Sequence, residues 1–251
     1  MEIMCDLFAL SSEKDYSAPR SLPVFADLGW RNMDGWGIGY FKKHRAHVEK
    51  SAERVYYAGH VHESFQRLAR VVNSKIIISH VRLRTSGRID ECHAHPFVLP
   101  FGSHDWIFAH NGKAPAIESY QTEGPNIPDT VSDSAKAFEY LRDRMVDYYQ
   151  DRDSKLSTLF EALYKGTGEM IETYPGKYNY VLTNGQVLFA FNNHRQFMLL
   201  RGSRKLEGGL LLTTIAHGLS DEQWVQVSRP AGCKGVLLAI VGSSIIVQEI
   251  L

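Results

Sequence analysis

Met4-Cys5-Asp6-Leu7-Phe8-Ala9-Leu10 opens the first apolar run of the chain, and its reading decides the rest. A cysteine directly behind a methionine becomes the first residue if translation starts at Met4 and that methionine is removed. The thiol and a free α-amine then belong to one residue, so the nucleophile carries its own base. A thiol near pKa ~8.5 and an α-amine near ~7.7–8.0 are closely matched, and proton transfer between them at neutral pH carries little penalty. The plain alternative is a small buried hydrophobe on a strand, since free cysteine packs as one.

Outward from there, Leu7 to Leu10 and Trp36 to Phe41 suit strands, and residues 11 to 34 between them read as loop. Val61, Phe65, Leu68 and Val72 fall at helical spacing and predict a helix from His60 to Val72. Ile76-Ile77-Ile78 and Trp106-Ile107-Phe108-Ala109 read as buried strands. Each delivers the chain into polar chemistry just past its end, His80-Val81-Arg82 and His110-Asn111-Gly112. Ala135, Phe138, Leu141 and Met145 predict a helix behind a Ser/Asp cap at Ser132 and Asp133, and Leu159 to Ile171 predicts a second. Strands then return: Tyr178 to Leu182 and Val187 to Phe191 flank Asn184-Gly185, a type I′ hairpin signal, and Gly235 to Val241 and Ile245 to Glu249 flank Gly242-Ser243-Ser244. Helices gathered between antiparallel hairpins imply an α+β layered sandwich in one domain, residues 1–251, with no linker or internal repeat.

The chain has 251 residues, 44% of them hydrophobic, enough for a core without staples. With 28 basic and 28 acidic side chains there is no global field to draw nucleic acid or an anionic bilayer, so the expected partner is a small molecule. Cysteines at 5, 92 and 233 are odd in number and widely spaced, which suits a reducing, cytoplasmic setting. Residues ahead of Cys5 are too few and too uncharged for a signal peptide. The longest aliphatic run, Val236 to Val241, falls well short of the ~18 residues of a membrane span. Cys92, His93, His95 and His110 lack the paired short spacings of a zinc site, and no phosphate-binding glycine loop or Ser/His/Asp set is placed. Neither a metal nor a cofactor is expected.

Three further clusters stand out: His80-Val81-Arg82-Leu83-Arg84-Thr85-Ser86-Gly87, His93-Ala94-His95-Pro96-Phe97 and His110-Asn111-Gly112-Lys113. With the Met-Cys start and Asp34-Gly35-Trp36-Gly37, they resemble the glutaminase domain of class II glutamine amidotransferases, N-terminal-nucleophile hydrolases. The resemblance is closest to stand-alone bacterial members and runs out to Thr213-Thr214 and Trp224. It implies a four-layer αββα sandwich with antiparallel sheets. It also implies that Cys5 attacks the side-chain amide of glutamine, forming a γ-glutamyl thioester and releasing ammonia. Asn111 and Gly112 match the oxyanion hole, one side-chain amide and one backbone N–H. Arg82 matches the guanidinium that grips the substrate α-carboxylate in two parallel hydrogen bonds, Thr85 a companion hydroxyl, and Asp133 the acid that pairs with the α-ammonium. His95 matches the pocket-lining histidine of a His-Pro pair, and Trp36 is a packing residue. Read without the resemblance, Asn111-Gly112 is also a hairpin turn, Arg82 a surface ion pair and Asp133 a helix N-cap.

The match departs from the family in three places. Met1-Glu2-Ile3 precede Met4, which is a start placed too early, a short propeptide, or a retained extension. In the last case Cys5 has an amide nitrogen, and losing a positioned base typically costs ~10²–10⁴ in rate. No synthase-like unit follows, so the ammonia reaches a separate acceptor subunit or the enzyme simply hydrolyses. Leu83 stands where synthase-fused members carry tryptophan. Two other readings stay open: hydrolysis of another γ-glutamyl amide by the same mechanism, and an inactive binding scaffold if residues 1–4 are kept.

Overall fold

The computed structural model describes residues 4–149 and 155–251; Met1, Glu2 and Ile3, most of the suggested leader, lie outside the described residues. In chain order come β1 (Asp6–Tyr16), α1 (Ser21–Leu28), β2 (Trp36–Lys42), β3 (Arg45–Ser51), the short pair β4 (Tyr56–Tyr57) and β5 (His60–Val61), and α2 (Glu63–Val71). Then follow β6 (Ser74–Val81), β7 (Phe97–Phe101), β8 (His104–Lys113), a 3₁₀ turn (Pro115–Ser119), α3 (Asp133–Tyr149) and α4 (Leu156–Thr173). The chain closes with β9 (Lys177–Thr183), β10 (Leu188–Asn192), β11 (Met198–Arg201), β12 (Leu210–Thr213), β13 (Val225–Gln226), β14 (Val236–Val241) and β15 (Ser244–Ile250).

Two antiparallel sheets result, ordered β13-β11-β12-β1-β6-β2-β3 and β15-β14-β10-β9-β8-β7. Period-two alternation assigns each strand residue to a layer. Phe8, Leu10, Ile38 and Ile77 pack outward on Leu22 and Phe25 of α1 and Phe65 and Ala69 of α2. Leu7, Ala9, Ile76 and Ile78 face inward onto Ile107, Ala109, Val181 and Leu238 of the second sheet. Trp106, Phe108 and Tyr180 point the other way, onto Phe138 and Leu141 of α3 and Leu163 of α4. The architecture is the four-layer αββα sandwich that the resemblance implies. Large buried side chains such as these each contribute about 1.5–3 kcal/mol, so three apolar layers hold the fold while Cys5, Cys92 and Cys233 stay unpaired. Among the described residues no helix is long and apolar enough to cross a membrane.

Alternation also positions the polar chemistry. His80 follows Ile76 and Ile78, Asn111 follows Ile107 and Ala109, and Asn179 precedes Val181 at the same two-residue step, so all three belong to the intersheet faces. Cys5 precedes Leu7 and Ala9 at that step. The layer between the sheets is therefore apolar through its middle and polar at one end.

Several local expectations fail for identifiable reasons. Residues 11 to 34 are not loop: β1 runs on to Tyr16, and α1 occupies Ser21–Leu28. That helix has no local cap; its Arg20 and Ser21 N–H groups donate to the Glu207 carboxylate, a partner no local pattern reveals. His60 and Val61 leave the predicted helix for β5, and α2 begins at Glu63 behind His62, whose Nδ1 accepts from the Ser64 N–H. Asn184-Gly185 turns the β9–β10 hairpin, yet only Gly185 has positive φ, so the turn is not type I′. Asn184 Oδ1 instead accepts from the N–H groups of Gln186 and Val187. Two-residue turns with both φ positive fall instead at Lys43-His44 between β2 and β3, Ala58-Gly59 between β4 and β5, and Gly102-Ser103 between β7 and β8. Asn111-Gly112 lies inside β8, not at its end and not in a turn.

Candidate active site

Cys5 stands one residue ahead of β1, against the end of β6. Its Sγ accepts the Leu83 N–H at 3.2 Å and donates to the Leu83 carbonyl at 3.1 Å. Burial pushes the thiol up to about 12; the Leu83 N–H and the Arg82 charge pull down, and Asp6 adds to the rise. Cys5 keeps 8% of its surface exposed, and it opens into a cleft.

That cleft is lined by Cys5, Arg82, Thr85, His95, Gly112 and Asp133, and further by Ser86, His93, His110 and Ser134. Its free volume is about 20 Å³, room for a water molecule and not for an amino acid. Arg82 is no surface ion pair: it is 4% exposed, and Nη1 donates to the Arg88 carbonyl at 2.8 Å while Nη2 donates to the Ser86 carbonyl at 2.9 Å. The Asp34 segment braces it from behind, with the Arg82 N–H on the Gly35 carbonyl and the Asp34 N–H on the Arg82 carbonyl. Trp36 packs its ring edge-on to Phe65.

Asn111 does not line the cleft. It is fully buried and reaches Cys5 from beneath, its Nδ2 donating to the Cys5 carbonyl. A β-carbon on Gly112 would stand 1.8 Å from the Lys177 carbonyl oxygen, so the neighbouring strand β9 demands glycine there whatever the chemistry. Asp133 is also not the helix cap. Ser132 caps α3 by accepting the Ala135 N–H, while the buried Asp133 carboxylate accepts the N–H groups of Ala114 and Ser134, both at 2.8 Å.

Of three clustered imidazoles, His95 and His110 line the cleft and the fully buried His80 packs against His95. His95, behind it a cis bond to Pro96, lies 4.2 Å from His80 ring to ring and accepts the His110 N–H on Nδ1. His110 Nδ1 shares a hydrogen bond with Ser134 Oγ at 2.8 Å, and Nε2 one with the Lys177 carbonyl at 3.1 Å. Burial drives all three toward the neutral form. His80 falls to about 3, helped by the Arg82 and His110 charges and opposed weakly by the His110 backbone; His95 falls well below its usual range for the same first reason. Cys92 is exposed while His95 and His110 are buried, and among the described residues no three His, Cys, Asp or Glu side chains are grouped as metal ligands.

A model of the class-II glutamine amidotransferases matches residues 4–205. The chain belongs to that family. Its amidotransferase relatives include a Haemophilus influenzae protein provisionally named as one, 24% identical over 76% of this chain and 63% of its own length. Another is the glutamine–fructose-6-phosphate aminotransferase (isomerizing) of Chlamydia muridarum, 26% identical over 68% of this chain and 24% of its own. The chain thus spans less than two thirds of the curated relatives it matches. Among solved structures, a predicted glutamine amidotransferase from Pseudomonas aeruginosa superposes with a TM-score of 0.65 at 17% identity, covering 97% of this chain and all of the other. Glutamine phosphoribosylpyrophosphate amidotransferase of B. subtilis gives 0.64 at 16%, over 98% of this chain and 49% of its own. At these identities the structural likeness speaks for the fold.

The sequence reading of this family member missed a second ring of residues around the Cys5-Asp6 peptide. Arg195 Nη1 donates to the Cys5 carbonyl at 2.9 Å and to Asp6 Oδ1 at 2.8 Å; Nη2 donates to the Thr214 carbonyl at 3.0 Å. Asp6 also accepts from Asn32 Nδ2 and from the Thr214 hydroxyl. The Asn179 carboxamide clasps the Arg195 backbone from both sides. One signal was available: Asp6 is a charged residue at the head of the apolar run Leu7 to Leu10, and a buried carboxylate needs a cation.

Proposed function

We propose that this protein hydrolyses the γ-amide of glutamine. The Cys5 sulfur attacks the side-chain carbonyl carbon, the C–N bond breaks, and ammonia leaves with the thiol's proton, handed over by the Cys5 α-amine. Water then attacks the γ-glutamyl thioester, giving glutamate and restoring the thiol. One observation carries the reading: Cys5, Arg82, Thr85, His95, Gly112 and Asp133, scattered over the sequence, line a single cleft, with Asn111 bonded to the nucleophile's own carbonyl.

In this reading Arg82 and Thr85 take the substrate α-carboxylate, Asp133 the α-ammonium, and His95 walls the pocket as a neutral ring. Asn111 and the Gly112 N–H serve the oxygen on which charge develops. With Met4 attached, the Cys5 nitrogen is an amide and the thiol stays at about 12, so turnover requires a chain that starts at Cys5. The α-amino-acid clamp is shared by other γ-glutamyl amides, which differ only in what leaves. A separate acceptor-bearing partner for the ammonia and a cytoplasmic location belong to the same proposal, the latter supported by three unpaired cysteines.

The test is to incubate protein beginning at Cys5 with glutamine, measure glutamate and ammonia, and map labelling by a diazoketone analogue of glutamine. Turnover abolished by Cys5→Ala, with the label on Cys5, supports it. No turnover and no label would sink it.

A further inference from the structure

We infer that Arg195 is a positioning residue that holds the Cys5 carbonyl in place, so that the Asn111 carboxamide is free to turn toward the reacting oxygen. The inference rests on the reading of Cys5 as nucleophile. The Cys5 carbonyl oxygen accepts two side-chain donors, Asn111 Nδ2 and Arg195 Nη1. Two donors fill its two lone pairs. Asn111 is fully buried and its Oδ1 has no partner, so the bond to Cys5 is what orients the carboxamide. An N–H called to a developing oxyanion must weaken that bond. Were Asn111 the sole donor, its departure would strand a buried carbonyl, which proteins avoid. With Arg195 in place the carbonyl stays paired throughout.

Arg195 is built for a fixed role. Three acceptors surround one planar fork: the Cys5 carbonyl, the Asp6 carboxylate and the Thr214 carbonyl. Its own carbonyl accepts from Asn179 at 2.6 Å and Asn192 at 3.3 Å, and its N–H donates to Asn179 at 3.1 Å. The residue thus ties the head of β1 to β9, to the end of β10 and to the segment after β12. A lysine offers a point charge and cannot span those acceptors. Asp6 neutralises the guanidinium, and the charges that most move the Cys5 thiol are Asp6 and Arg82. Arg195 therefore acts by geometry, not by making the sulfur more acidic.

The experiment compares wild type, Arg195→Ala and Arg195→Lys, all starting at Cys5. Readouts are glutamine kinetics, the pH profile of Cys5 alkylation by iodoacetamide, and the ¹³C resonance of a labelled Cys5 carbonyl, each with and without added guanidinium ion. Arg195→Ala is expected to lower kcat by about tenfold or more with KM little changed, since a lost donor near an oxyanion acts on the transition state. The alkylation profile should stay put, the carbonyl resonance should move, and guanidinium should return both kcat and resonance part of the way while Arg195→Lys does not. Wild-type kcat in Arg195→Lys, an alkylation profile displaced in Arg195→Ala, or an unmoved carbonyl resonance would overturn the assignment. If wild type itself leaves glutamine intact, the glutaminase reading fails. The carbonyl resonance and its rescue then still decide whether Arg195 holds Cys5.

Discussion

The Ser86 hydroxyl donates to the Glu118 carboxylate at 2.6 Å, tying the segment behind Arg82 to the 3₁₀ turn behind β8. Ser86 lines a cleft with only about 20 Å³ free, so the proposed glutamine substrate needs this segment to lift. An exposed hydrogen bond of this kind is worth about 1 kcal/mol, or roughly fivefold in the open fraction. Glu118→Ala should therefore raise the rate of Cys5 alkylation by iodoacetamide about fivefold and tighten an unreactive glutamine analogue by a similar factor. Equal rates in mutant and wild type would show that something else seals the cleft.

Arg82 does two jobs that one substitution separates. Its guanidinium braces the Ser86 and Arg88 carbonyls and, in the proposed reaction, receives the substrate carboxylate. Arg82→Lys keeps the charge and loses the fork, and charge-assisted hydrogen bonds of this type are worth about 1.5–3 kcal/mol. Steady-state kinetics should show KM raised about ten- to a hundredfold with kcat within about threefold. A lower melting temperature with KM unmoved would reduce Arg82 to a brace.

Gly112 can be tested against a glycine of the opposite kind. A β-carbon there meets the Lys177 carbonyl at 1.8 Å and His110 Nε2 at 2.5 Å, and the backbone carbonyl cannot move without parting β8 from β9. Gly112→Ala is expected to cost about 3 kcal/mol or more in urea unfolding and to remove activity. Gly168 in α4 has only a Leu251 methyl nearby, at 3.7 Å. Gly168→Ala should be neutral or stabilise by up to about 1 kcal/mol, as helix propensity dictates.

How much of this was legible follows from where each partner lies in the chain. Cys5, Arg82, His95 and Asn111 sit in compact clusters beside apolar runs, and period-two alternation carries Asn111 to the face that meets Cys5. Arg195 has no such context: its partners are 190, 189 and 19 residues away, and Thr214 lies 208 residues from the Asp6 it serves. The same holds for α1, whose cap is Glu207. Turn type also escaped, because Asn184-Gly185 satisfies its backbone through the Asn184 side chain while Lys43-His44 adopts positive φ with residues that do not advertise it.

Acid should destabilise this protein before its carboxylates titrate. His80 is fully buried, both ring nitrogens lack a well-formed partner, and burial holds it at about 3 against an ordinary 6.5; His95 is displaced in the same direction. Between those values the unfolded chain binds a proton that the folded chain does not, so stability falls as pH drops below about 6.5 and keeps falling toward 3. Each such histidine contributes a slope of up to about 1.4 kcal/mol per pH unit. Urea unfolding between about pH 6.5 and 4.5, where most carboxylates remain ionised, isolates this contribution. His80→Phe keeps a ring in the stack with His95 and removes the titrating nitrogens, so its slope should be shallower than wild type by about one histidine's worth. A slope unchanged by that substitution would mean that the acid sensitivity arises elsewhere, and that His80 finds in the folded protein a partner for its proton.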